Sequence, residues 1–210
     1  MLRNRTVQKA VAGLSEVLRL PMAYRLFRRL VGGDLDQYVA EYVQPRPGDK
    51  VLDIGCGPGD MFGALRGVDY LGLDISREYI EAAERRFGAL GRFLCTDIGV
   101  ASIEAERGQF DLVLATAILH HLDDERARRL FELARAALRP DGRLITYDGC
   151  YVPEQSHLAR WILNNDRGKF VRTLDEYVQL ASEFFPNVQT HIRHDLLRIP
   201  YTHLIMFCSS

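Results

Sequence analysis

Beyond residue 48 the chain alternates short apolar runs with longer stretches of helical spacing. Strand-like runs fall at 50–54, 70–74, 92–95, 110–115 and 143–148, and helical periodicity covers about 59–66, 77–90, 100–106 and 123–138. Parallel neighbours need a crossover between them, so this alternation predicts an α/β, Rossmann-like, doubly wound and mostly parallel sheet. After Tyr151 the pattern changes to a polar helical stretch from 154 to about 166, a second helix at about 173–184, and runs at 188–193 and 202–208. The last two read as a C-terminal antiparallel pair closing the edge of a seven-stranded sheet. Residues 1–43 carry Leu14, Val17, Leu18 and then Leu26, Phe27, Leu30 at helical spacing, divided by Pro21, and read as an N-terminal helical cover.

Composition narrows the class. A chain of 210 residues with 47% hydrophobic and 26% charged residues suits one domain over 1–210, with 149–172 as an insertion. Twenty-seven Lys and Arg against 28 Asp and Glu give a net charge of -1, too little field to hold a polyanion, so no nucleic-acid partner is expected. Arg19, Arg25, Arg28 and Arg29 make the first segment basic; a membrane-surface helix and a solvated cover both fit, and the cover is the reading kept, with no membrane partner. The apolar run 112–119 is far short of the roughly 18 residues that span a bilayer, and no secretory signal precedes it. Cys56, Cys95, Cys150 and Cys208 form neither a C-x-x-C pair nor a disulfide framework, which fits a cytoplasmic protein.

The candidate chemistry begins where the first strand meets a glycine-rich turn, V-L-D-I-G-C-G-P-G-D from Val51 to Asp60. Glycines at 55, 57 and 59 allow a ligand to lie against the backbone. A nicotinamide dinucleotide would require a third glycine at 60 or 62, where Asp60 and Phe62 stand, and Asp60 would oppose a pyrophosphate at the helix start. The second strand ends on Asp74, twenty-one residues after Asp53, where a carboxylate can accept from both ribose hydroxyls; Ser76 is the better N-cap for the helix that follows. The third strand leads to Asp97 and Ile98, an acceptor for an exocyclic amine beside an apolar surface for a ring.

In this order the motifs resemble those of the class I S-adenosylmethionine-dependent methyltransferases, especially bacterial members acting on small molecules. The resemblance is dense over about 47–148. It implies S-adenosyl-L-methionine as cofactor and S-adenosyl-L-homocysteine as product, with Tyr24, Asp53, Gly55, Cys56, Gly57 and Gly59 around the methionine part, Asp74 and Ile75 at the ribose, Asp97 and Ile98 at the adenine, and Ala115 and Thr116 at the end of the fourth strand. The fourth strand, F-D-L-V-L-A-T, runs into L-H-H-L-D-D; adjacent helical histidines point about 100° apart and chelate poorly, so no metal is expected. By the same resemblance His120 faces the reacting methyl as candidate general base, and His121 packs or caps the helix. Leu138-Arg139-Pro140-Asp141-Gly142 resembles the turn ahead of the fifth strand, with Asp141 in place of glycine, and that strand ends on Tyr147 and Asp148 near the acceptor. Asp166, Arg167 and Arg172, in the stretch D-R-G-K-F-V-R, resemble an acceptor-binding segment; an internal Asp–Arg pair fits them as well.

The expected reaction is methyl transfer to a small-molecule acceptor, with a hydroxyl oxygen favoured over nitrogen or carbon. No N-P-P-Y signature of the amino-directed DNA and protein enzymes follows the fourth strand. Two readings from other classes stand beside it: a nicotinamide oxidoreductase, opposed by the glycine spacing, and a non-catalytic partner subunit that keeps the fold.

Overall fold

A computed structural model describes residues 32–99, 106–166 and 168–210. The expected helices before residue 32, most of the expected helix at 100–106, Tyr24 and Arg167 lie outside the described residues. The chain enters through α1 (Leu35–Tyr38), which Asp34 caps by accepting from the Gln37 N–H at 3.1 Å and which runs on into a wider π turn, Val39–Val43. There follow β1 (Lys50–Ile54), α2 (Asp60–Ala64), β2 (Asp69–Asp74), α3 (Arg77–Phe87), β3 (Arg92–Cys95), β4 (Phe110–Thr116), a short 3-10 turn (Leu119–His121), α4 (Asp124–Ala137) and β5 (Leu138–Tyr151). The chain closes with α5 (His157–Asn164), β6 (Arg172–Thr173), α6 (Leu174–Ser182), β7 (Asn187–Arg193) and β8 (His203–Ser209).

Every described α-helix except α2, which starts on Gly59, begins where the sequence supplies a side-chain acceptor for its orphan N–H groups. Ser76 caps α3, Asp123 caps α4, Ser156 caps α5, and Thr173 with Glu176 forms a reciprocal capping box on α6.

The strands lie in the order β3-β2-β1-β4-β5-β8-β7, parallel as far as β5, with β8 antiparallel between β5 and β7. Two details depart from the expectation. The two-residue β6 pairs in parallel with Cys150 and Tyr151, which adds an eighth strand and leaves 152–171 as the inserted connection. Residues 138–142 form no free turn: β5 already pairs at Leu138 with Phe110, then bulges so that Leu112 meets Arg143. Asp141 accordingly has no left-handed backbone, since Gln44 and Ala117 are the only non-glycine residues with positive φ among those described.

The alternation of side chains along each strand puts one apolar layer on each face. Leu52, Ile54, Val113 and Leu144 pack under Leu130, Phe131 and Ala134 of α4 and Tyr177 of α6; Val51, Tyr70, Leu112 and Ile145 pack under α1, α2 and α3. Each fully buried Leu or Phe of these layers contributes roughly 1.5–3 kcal/mol. Strand order reverses between β1 and β4, so the loops after them diverge and leave a crevice beyond their carboxyl ends.

Candidate active site

The crevice is a cleft of about 440 Å³ that takes its lining from four strand ends in turn: Ile54, Gly55 and Gly57 after β1, Asp74 and Ile75 after β2, Asp97 and Ile98 after β3, and Thr116, Ala117 and Ile118 after β4. Its volume suits a single cofactor-sized molecule. Gly57 has φ +53° and open space where a Cβ would stand, so its backbone faces the cleft bare. Gly59 serves differently: with φ +79° it starts α2 against Phe87 and Ala83 of α3, and it does not line the cleft.

The three acidic residues have distinct environments. Asp74 accepts from the Gly57 N–H at 2.9 Å and the Ser76 N–H at 2.8 Å; burial pushes its carboxyl above the ordinary range, against those backbone donors. Its two oxygens therefore tie the glycine turn to the second strand while still lining the cleft. Asp97 accepts from the Gly99 N–H at 2.7 Å and from Arg126 at 3.2 Å, and Ile98 stands beside it on the cleft wall. Asp53 is only 1% exposed and lies beneath the cleft instead of along it. Tyr70 donates to its Oδ2 at 2.6 Å, its Oδ1 has no partner among the described residues, and burial pushes its carboxyl up to about 7 despite that hydrogen bond.

Other expected cofactor residues separate into lining and support. Gly55, Ile75 and Thr116 line the cleft, whereas Cys56 turns its thiol into the core against Gly72 and Ala115 is fully buried. Sequence reasoning missed Tyr79, Ala117, Ile118, His121 and Arg126, all on the wall. Ala117 carries φ +55° and donates its N–H to the Tyr147 carbonyl at 2.7 Å, a strained backbone at the site.

The histidines exchange their expected places. The segment is a 3-10 turn, not an α-helix, and His121 lines the cleft while His120 is buried behind it. His120 Nδ1 sits 2.6 Å from Asp148 Oδ1, its Nε2 is 3.8 Å from Asp166 Oδ1, and Gly168 covers the ring. Burial pushes Asp148 upward, partly offset by His120. Asp166 is held below the ordinary range although burial opposes it, because the His120 charge, the Gly168 N–H and the Tyr201 hydroxyl favour its anion.

Arg172 is engaged internally. Its five N–H groups go to Asp124 twice and to the carbonyls of Leu119, Leu122 and Phe170, so the guanidinium pins the inserted connection to the turn after β4 and presents no donor to an acceptor. The internal pair that the sequence allowed for is real, with Asp124 as partner in place of Asp166. The fifth strand does not end on Tyr147 and Asp148 but runs on, still paired, to Tyr151; Tyr147 lies within it between Tyr38, edge-on at 5.0 Å, and His203, stacked at 4.4 Å. Among the described residues no group of three or more His, Cys, Asp or Glu is placed to hold a metal ion, and no helix is long and apolar enough to cross a membrane.

A doubly wound sheet with a bare glycine turn and carboxylates at the second and third strand tips defines a nucleoside-binding α/β protein. Comparison with known proteins makes the class specific: residues 51–142 match the family model described as a methyltransferase domain. An O-methyltransferase of Pyrenophora dematioidea is 30% identical over 134 residues, 59% of this chain and 49% of that protein. Phosphoethanolamine N-methyltransferase 1 of Arabidopsis thaliana is 31% identical over 151 residues, 68% of this chain and 30% of that protein. A geranyl diphosphate C-methyltransferase of Streptomyces coelicolor A3(2), crystallised with Mg2+, geranyl diphosphate and S-adenosyl-L-homocysteine, shares the fold at TM-score 0.64 and 17% identity, over 83% of this chain and 79% of that one. Over residues 51–142 the chain is thus similar to the methyltransferase-domain family, and it shares its fold with solved S-adenosylmethionine-dependent methyltransferases. It spans between about a fifth and a half of the length of the first curated relatives it matches.

Proposed function

We propose that this protein transfers a methyl group from S-adenosyl-L-methionine to a small-molecule acceptor bearing a hydroxyl or amine, with a hydroxyl oxygen preferred. One observation supports it above the others: a single cleft is lined by Asp74, Asp97, Ile98 and the open backbone of Gly57. Asp74 would hold the ribose hydroxyls, Asp97 and Ile98 the adenine, and Gly55 and Gly57 the methionine part. Asp53, with one buried oxygen unsatisfied, would meet the cofactor's ammonium from below.

When bound, the cofactor would supply a methyl on a positively charged sulfur: the acceptor's lone pair would form the new bond as the carbon–sulfur bond breaks, the freed electron pair would neutralise the sulfur, and a hydroxyl acceptor's proton would leave to solvent. The residues here contribute alignment and exclusion of water, which can supply much of the rate. Thr116 and Ala117, at the reversal of strand order, stand where cofactor and acceptor would meet. His120 acts as a positioning residue in this reading: it faces Asp148 and Asp166, and it holds the segment after α5 against the site through the Phe170 N–H to its carbonyl at 3.0 Å.

Calorimetry with S-adenosyl-L-methionine and S-adenosyl-L-homocysteine tests the reading. Binding of both, weakened about tenfold or more by Asp74→Asn through loss of a charged hydrogen-bond acceptor, is the expected result. No heat with either compound would reject it.

A further inference from the structure

Beside the cofactor cleft lies a second, smaller chamber of about 60 Å³, and Thr116 lines both. Tyr38 and Tyr147 form its aromatic walls, and Asp34, Arg193 and Asp195 stand around it. The hydroxyls of Tyr38 and Thr116 are neighbours there, yet neither oxygen has a well-aligned partner among the described residues, and both atoms are buried. Two hydroxyls that have at most each other leave one O–H and most of their lone pairs unused, and a buried donor left unpaired costs about 1–3 kcal/mol, so this wall marks a place for a ligand that can donate or accept.

The charge around this chamber is one-sided. Its lining holds two carboxylates and one guanidinium, and the guanidinium of Arg193 is already committed to Asp195, to Glu41 at 2.6 Å and to the Tyr42 hydroxyl. Burial first, then Tyr147, Asp148 and Asp53, push the Tyr38 hydroxyl upward, so it stays protonated and able to donate. Arg172, buried in the expected acceptor segment, has no donor left. Among the described residues, an end-group with its own negative charge would enter against carboxylates with no uncommitted cation to receive it.

Building on the methyl-transfer reading, we infer that this chamber receives the reacting end of the acceptor and selects a hydroxyl or amine end free of phosphate and carboxylate. That sets the chain apart from the phosphoethanolamine and geranyl diphosphate methyltransferases it is similar to. The volume admits the reacting end alone, and the rest of the acceptor projects outward.

The test uses the whole protein saturated with S-adenosyl-L-homocysteine and follows the backbone amides of Gly33 and Thr116 by NMR. Two pairs of probes are titrated: ethanolamine with phosphoethanolamine, and glycerol with glycerol 3-phosphate. Ethanolamine and glycerol should shift both amides, and their phosphorylated partners should need about tenfold more or greater. Tyr38→Phe should weaken ethanolamine and glycerol about fivefold, one hydrogen bond's worth, with the S-adenosyl-L-homocysteine affinity unchanged. Asp195→Asn, at an exposed position, should release Arg193 and improve phosphoethanolamine binding several-fold. Phosphorylated probes binding as well as their partners, or no probe moving these two amides, would overturn the inference and leave the methyl-transfer reading standing. Failure to saturate with S-adenosyl-L-homocysteine would bring down that reading and the inference with it.

Discussion

Asp53→Asn should stabilise the protein and cost it its cofactor. The carboxyl is 1% exposed, and burial raises it from an ordinary 3.8 to about 7 in the folded chain. A group raised on folding holds its proton more tightly in the native state. Its contribution is therefore undiminished below pH 4, falls as pH climbs from 4 to 7, and stays at its lowest above 7. At 1.36 kcal/mol for each pH unit, the full penalty is about 4 kcal/mol at pH 8 and about 2 kcal/mol at pH 5.5.

Asparagine keeps an oxygen for the Tyr70 hydroxyl and never ionises. Urea unfolding of both proteins should show a gain from the substitution that is about 2 kcal/mol larger at pH 8 than at pH 5.5. The same carboxylate, once ionised, meets a cationic ligand, so wild-type affinity for S-adenosyl-L-methionine should rise between pH 5.5 and 7, and the Asn variant should bind weakly with no such slope. A stability gain equal at both pH values, or wild-type-like binding by the variant, would refute the reasoning.

Other substitutions probe separate parts of the argument. Arg172→Ala should lower unfolding free energy by about 3 kcal/mol, since several buried carbonyls lose their donor, without altering affinity for S-adenosyl-L-homocysteine in calorimetry at a temperature where the variant is folded. Ala117→Gly should raise stability by about 1 kcal/mol in thermal unfolding by relieving the left-handed backbone. Gly168→Ala would drive a methyl group into the His120 ring and carbonyl, and faster amide exchange at Phe170 should report the displaced segment.

The fold was legible because its signals are local. Apolar runs ended by turn residues marked the strands, and Ser76 announced its helix through chemistry visible within a few residues; Asp123, Ser156 and Thr173 cap theirs in the same local way. Asp74 and Asp97 were legible as strand-tip carboxylates for the same reason. Residues whose partners lie far along the chain were not. Nothing near Arg172 in sequence says that its fork closes on carbonyls some fifty residues earlier, and nothing near Tyr38 says that Asp195 and Thr116 will share a chamber with it. The exchange of His120 and His121 turns on a 3-10 turn where an α-helix was assumed, a choice of winding that rotates each side chain about the axis. The bulge in β5 likewise depends on pairing with β4, which the motif at 138–142 does not encode by itself.

The two compartments draw on different stretches of the polypeptide. Among the described residues, the cofactor cleft is lined from 54–126, while the neighbouring chamber borrows most of its surface from 33–38 and 193–197, near opposite ends of the described chain. Of the described residues, only Thr116 belongs to both. New substrate preferences can thus be engineered by rewriting those two peripheral segments, and the nucleoside socket, having no stake in them, would keep its grip throughout.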